Sequence, residues 1–273
     1  MAIASPFTPD FRALPWQQLT SYDGPISVAD IPRFFKLGRN LQECFIQLMR
    51  RSSNQTPPSD LTEMPDHSTL TSLHLSTGLM HRLSPHLLPK FPNLRQLFMH
   101  NELRYNEFRV TTANPVQTLI PFFAMSGARL EELTFGMATD ADTIRACLTH
   151  TPELKVLQID RVANDALLKF LSFPPEDEVP LVPKLEVLRF SGNMDFCLKN
   201  VIDIIRARWA QSEDEIQHKQ LKSVAILPWN KHTLDPQAKK DLLAFNKQGF
   251  TVSIRSLDRS AFKSCMPLSC RLP

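Results

Sequence analysis

The apolar residues of this chain recur as a triplet with fixed internal spacing. Three segments read Pro-x-Leu-x-x-Leu-x-apolar: Pro92-Asn-Leu94-Arg-Gln-Leu97-Phe-Met99, Pro152-Glu-Leu154-Lys-Val-Leu157-Gln-Ile159 and Pro183-Lys-Leu185-Glu-Val-Leu188-Arg-Phe190. Looser copies are Leu41-x-x-Cys44-x-Ile46, Leu70-x-x-Leu73-x-Leu75, Leu130-x-x-Leu133-x-Phe135 and Leu221-x-x-Val224-x-Ile226, and a partial copy, Trp16-x-x-Leu19, opens the array. The triplets start at 41, 70, 94, 130, 154, 185 and 221, in steps of 29, 24, 36, 24, 31 and 36 residues.

The last two members of each triplet alternate with polar neighbours, the period of a short strand with one buried face. The Leu three residues earlier sits on the turn into that strand. Between strands the period becomes helical, best seen in Leu198, Val201, Ile202, Ile205 and Trp209. Further stripes are Ile144, Cys147 and Leu148 behind a start at Thr139-Asp140-Ala141-Asp142, then Leu167, Phe170 and Leu171, and then Ala238, Leu242 and Phe245 ending at Gly249. Val116, Leu119, Ile120 and Phe123 form another, shortened or kinked by Pro121. Parallel strands need crossovers, so the pattern predicts an α/β solenoid of about eight irregular leucine-rich repeats, with strands on a concave face and helices on a convex one. Phe250-Thr-Val252-Ser-Ile254 closes the sheet, and 50–68, 101–114, 173–182 and 210–220 read as insertions. The expected organisation is an N-terminal tail over 1–10, a solenoid over 11–256 and a polar tail over 257–273.

Composition narrows the picture. With 42% hydrophobic and 22% charged residues, the chain is an ordinary folded protein. Seven Gly against 22 Pro disfavour glycine-rich phosphate loops and tight hairpins. A formal charge of +3, spread along the chain, predicts no nucleic-acid partner; Arg206 and Arg208 read as the wet side of an amphipathic helix. No signal peptide and no membrane-length apolar run are present in the sequence. Three of the five Cys occupy apolar repeat positions, as reduced thiols do, so the expected compartment is the cytoplasm or nucleus.

The stretch Leu14-Pro-Trp16-Gln-Gln-Leu19-Thr-Ser-Tyr22, a short helix near Ile31–Leu37 and Asn40-Leu-Gln-Glu43-Cys44, with Phe91-Pro-Asn-Leu94 and Thr151-Pro-Glu-Leu154 later, resemble the repeat region of F-box/leucine-rich-repeat proteins of mushroom-forming fungi. The resemblance covers about residues 11–255 and implies a ribonuclease-inhibitor-like horseshoe. It also implies a substrate-recognition role for the repeats within a cullin–RING ubiquitin ligase. The chain itself contains no F-box, so a Skp-type adaptor is expected as a partner only if an F-box lies upstream. The family's Asn three residues past the second strand position is matched by Asn193 alone, with Gly78, Glu102, Ala138 and Val162 elsewhere. The alternatives are a stand-alone repeat scaffold without a ubiquitin link and an enzyme without a recognisable motif.

Outward strand positions predict the binding face. Its central column is Phe45, His74, Phe98, Thr134, Gln158, Arg189 and Ala225, flanked by Glu43, Gln47, Gln96, His100, Glu132, Val156, Asp160 and Val187. Phe45, His74, Phe98, His100, Thr134, Gln158 and Arg189 are the candidate partner-binding residues, since aromatic side chains concentrate in binding hot spots. Phe is equally at home in a strand for structural reasons alone. No catalytic or cofactor motif is found, and neither Cys-x-x-Cys nor His-x-x-x-His supports a metal. The expected function is therefore protein binding, not catalysis.

Overall fold

A computed structural model describes residues 14–49, 66–76, 87–100, 120–136, 140–160, 163–172, 181–192, 194–209, 220–228 and 235–255. The two expected tails, 1–10 and 257–273, lie outside the described residues, as does most of each expected insertion and the Asn193 position with its equivalents.

Nine strands form one wholly parallel sheet: β1 (Ser21–Ser27), β2 (Glu43–Met49), β3 (Ser72–Ser76), β4 (Gln96–His100), β5 (Glu132–Gly136), β6 (Val156–Asp160), β8 (Val187–Gly192), β10 (Ser223–Pro228) and β11 (Thr251–Ile254). Two-residue strands β7 (Ala163–Asn164) and β9 (Met194–Asp195) pair separately. Sequence order equals spatial order along the main sheet, so each unit packs on the next, a solenoid-like α/β arrangement. The helices are α1 (Ile31–Leu37), α2 (Ile120–Ser126), α3 (Ala141–Leu148), α4 (Asp165–Leu171), α5 (Leu198–Arg208) and α6 (Pro236–Ala244). From α2 to α6 each helix touches the next, and their apolar faces share one core with the sheet.

The recurring triplets occupy equivalent places. Leu41, Leu70, Leu94, Leu130, Leu154, Leu185 and Leu221 are all buried. The strand pairings put Cys44, Leu73, Leu97, Leu133, Leu157, Leu188 and Val224 in one inward row, and Ile46, Leu75, Met99, Phe135, Ile159, Phe190 and Ile226 in the next. The prolines have a structural reason. The Leu94 N–H donates to the Phe91 carbonyl (3.1 Å) and that of Leu154 to Thr151 (3.2 Å), closing turns in which Pro92 and Pro152 take the second position, where a preset φ is favoured. Beyond each turn, two consecutive N–H groups converge on one carbonyl of the preceding unit. Arg95 and Gln96 donate to Thr71, and Glu131 and Glu132 to Arg95.

Several local expectations are corrected. The first repeat is Leu19-x-x-Tyr22-x-Gly24, three residues later than expected, because Tyr22 pairs with Cys44 while Trp16 packs edge-on against Phe34. Asp140 caps α3, accepting from the Thr143 N–H (2.7 Å) and hydroxyl (2.8 Å), one residue beyond the expected Thr139. On α4, Leu168 is buried, whereas Phe170 is only partly covered and carries the Arg145 guanidinium over its ring. Cys44 and Cys147 are buried free thiols, but Cys197 is exposed at the start of α5.

Arg208 is not on a wet face. It is buried, and its guanidinium forks onto three carbonyls: Leu171 (2.6 Å), Val182 (3.0 Å) and Leu181 (2.6 Å). Burial pulls its pKa down to about 10, so it stays charged at neutral pH. Leu171 ends α4, where carbonyls lack helical partners and the helix dipole favours a cation. Val182 has a left-handed φ of 48°, unfavourable for a β-branched residue. Its carbonyl is held by Arg208 and by the Leu185 N–H (3.2 Å).

Candidate functional site

The parallel register that buries the leucines also aligns the residues between them. Asp23, Phe45, His74, Phe98, Thr134, Gln158, Arg189, Ala225 and Ser253 form a continuous row on the face away from the core. Six of the seven candidate residues therefore share one row. The seventh, His100, lies in the flanking row, paired with Ser76 and Gly136. A Cβ on Gly136 would meet the His100 Nδ1 and the Met99 carbonyl, so the missing side chain is what lets His100 settle there.

The row divides into an aromatic half and a polar half. His74 and Phe98 stack with ring centroids 4.0 Å apart and planes 11° from parallel; Phe45 tilts against His74 at 5.7 Å. Phe45, His74, Phe98 and His100 are all partly exposed. Burial, with a smaller repulsion from His100, lowers the His74 pKa to about 4, leaving a neutral ring at physiological pH. In the polar half the groups satisfy one another. Arg189 reaches across β6 to Glu132 (3.8 Å), which also accepts from Gln96 (3.3 Å). Asp160 accepts from Gln158 (3.1 Å) and, through a very short bond, from Ser191.

Three features of this face lay beyond the sequence reading. Asp23 enters the row because β1, invisible as a triplet, starts one unit earlier. Ser76 and Thr134, both outward, have buried hydroxyls with no hydrogen-bond partner. Along the rim where the strands begin, charges alternate: Arg95 pairs with Glu131 (3.0 Å), Glu131 with Lys155 (2.8 Å), and Lys222 with Glu186 (2.9 Å). The Lys155 ammonium beside Glu131 lowers that carboxyl's pKa. A shallow groove of about 440 Å³ opens along this rim, but its Arg95, Glu131 and Glu153 are already neutralised by neighbours.

Among the described residues no group of three or more His, Cys, Asp and Glu could hold a metal ion, and no helix is long and apolar enough to cross a membrane. No protein-family model matches the chain, and no curated protein matches it. Among the described residues the face carries stacked rings, with the acids Asp23 and Glu43 outside any ion pair at one end and polar groups that satisfy one another at the other.

Proposed function

We propose that this chain is a leucine-rich-repeat solenoid of the ribonuclease-inhibitor-like type that binds a protein partner on the sheet face opposite its helices and catalyses nothing itself. The observation that carries the reading is the partly exposed Phe45–His74–Phe98 row on the sheet face opposite the helices. Rigid aromatic rings supply contact area at low entropic cost, which is why they dominate interface hot spots.

The resemblance to F-box/leucine-rich-repeat proteins supports a more specific version, substrate selection for a cullin–RING ubiquitin ligase. A stand-alone scaffold without a ubiquitin link is the competing version. The buried reduced thiols of Cys44 and Cys147, whose pKa values burial pushes up, support a cytoplasmic or nuclear setting.

Quantitative affinity capture from cells, comparing the wild-type chain with Phe98→Ala and His74→Ala, tests the binding reading. A specific partner retained by the wild type and lost from both variants is expected; retention of every partner by both variants defeats it. Co-capture of a Skp-type adaptor separates the ligase version from the scaffold version.

A further inference from the structure

We infer that the N-terminal end of this face, formed by Asp23, Glu43, Phe45 and His74, is the seat for a Lys or Arg side chain on an extended segment of the partner. The inference rests on the docking-face reading above and names the chemistry of what docks.

Charge is distributed unevenly over the outward positions. From β1 to β5 these positions carry Asp23, Glu43 and Glu132 and no Lys or Arg; the first cation on the face, Arg189, is on β8 and already pairs with Glu132. Asp23 and Glu43 form no ion pair with any described residue. Asp23 is next to Phe45 in the row, and Glu43 is two residues before Phe45 on the same strand. Neighbouring strands are ~4.8 Å apart, so Asp23 and Glu43 are the outward acidic neighbours of Phe45, one across the strand pair and one along its own strand. Asp23 is exposed, and the slight desolvation it does suffer raises its pKa.

The rings complete the seat. A guanidinium or ammonium placed over Phe45 gains from the negative face of the ring and from the carboxylates beside it. His74 behind it is neutral and does not repel a cation. The alternating rim cannot do the same, because its acids are already paired.

The test is selection of a random dodecapeptide display library, balanced in acidic and basic residues, on the purified full chain, followed by affinity measurement with labelled selected peptides. Selected peptides should be enriched in Lys and Arg. Their affinity should fall about tenfold with Asp23→Asn/Glu43→Gln and with Phe45→Ala, and should weaken with salt. A rim control, Glu153→Gln/Glu186→Gln, should stay within about twofold of wild type. The two acid-to-amide changes preserve shape, and a melting curve checks each variant. Peptides that are neutral or acidic, insensitive to Asp23→Asn/Glu43→Gln yet lost with Phe98→Ala, overturn the basic-partner inference while the docking face stands. Selection of no peptide sensitive to Phe45→Ala or Phe98→Ala overturns both.

Discussion

His74 on β3 and Phe98 on β4 occupy paired positions of adjacent parallel strands, and their rings lie face to face, 4.0 Å apart. Directly opposed aromatic residues across a strand pair contribute to sheet stability as well as to any surface they create. A stacked, partly buried imidazole is held in its neutral form.

That neutrality makes stability depend on pH. Above about pH 6.5 neither the folded nor the unfolded chain protonates His74. Between about 6.5 and 4 the unfolded chain binds a proton that the folded chain refuses, so stability falls as pH drops through this window. The loss at its lower end is on the order of 2–3 kcal/mol. His74→Phe retains a ring and removes the proton. Urea unfolding of wild type and variant at about pH 7 and pH 5 should show the larger acid loss in the wild type. Equal losses would count against the assignment.

Arg208 should be among the most sensitive positions in the chain. Its replacement by Ala strands the Leu171 and Leu181 carbonyls and leaves the Val182 carbonyl with the Leu185 N–H alone. Each orphaned buried acceptor costs about 1–3 kcal/mol, so a loss of about 3 kcal/mol or more is expected in chemical denaturation. Arg208→Lys should recover little of it, because an ammonium cannot span the same fork. A near-neutral Ala variant would mean that the carbonyls find other donors.

Core truncation follows a different rule. Leu157 is fully buried in an inward row between Leu133 and Leu188. Leu157→Ala should destabilise by about 2–5 kcal/mol, the usual cost of a buried leucine with its cavity. Thermal melting against an outward control, Gln158→Ala, reads the contrast between the two faces of one strand. Comparable losses at both sites would contradict the assignment of faces.

The rim ladder should matter far less. Glu131→Gln breaks contacts to Arg95 and Lys155, yet exposed pairs are worth no more than about 1 kcal/mol and fade with salt. Denaturation midpoints at low and high ionic strength should converge between wild type and variant. A persistent gap at high salt would show that the ladder acts through packing.

The sheet was legible because its evidence is periodic. Leu94-x-x-Leu97-x-Met99 and its relatives repeat the same spacing, so β2 to β6, β8 and β10 and the outward row from Phe45 to Ala225 follow from counting. β1 escaped because Tyr22 and Gly24 stand where aliphatic residues stand elsewhere, and with it escaped Asp23. Arg208 escaped for a different reason. A helix pattern assigns charge to water, and only the carbonyls left at the end of α4 and at Val182 explain why this one is inside. The ion pairs of the rim join residues 24 to 36 positions apart, a separation no local window spans.

The twinned N–H groups that converge on one carbonyl of the preceding unit have a consequence for how such a chain can change length. Because Glu131 and Glu132 bind Arg95 just as Lys155 and Val156 bind Glu131, cutting out residues 132–155 would join like to like. The excision would bring Phe98 directly beside Gln158 and leave the splice itself conformationally silent. The face behaves as a tape of interchangeable segments, on which recombination can edit the message without rewriting the grammar.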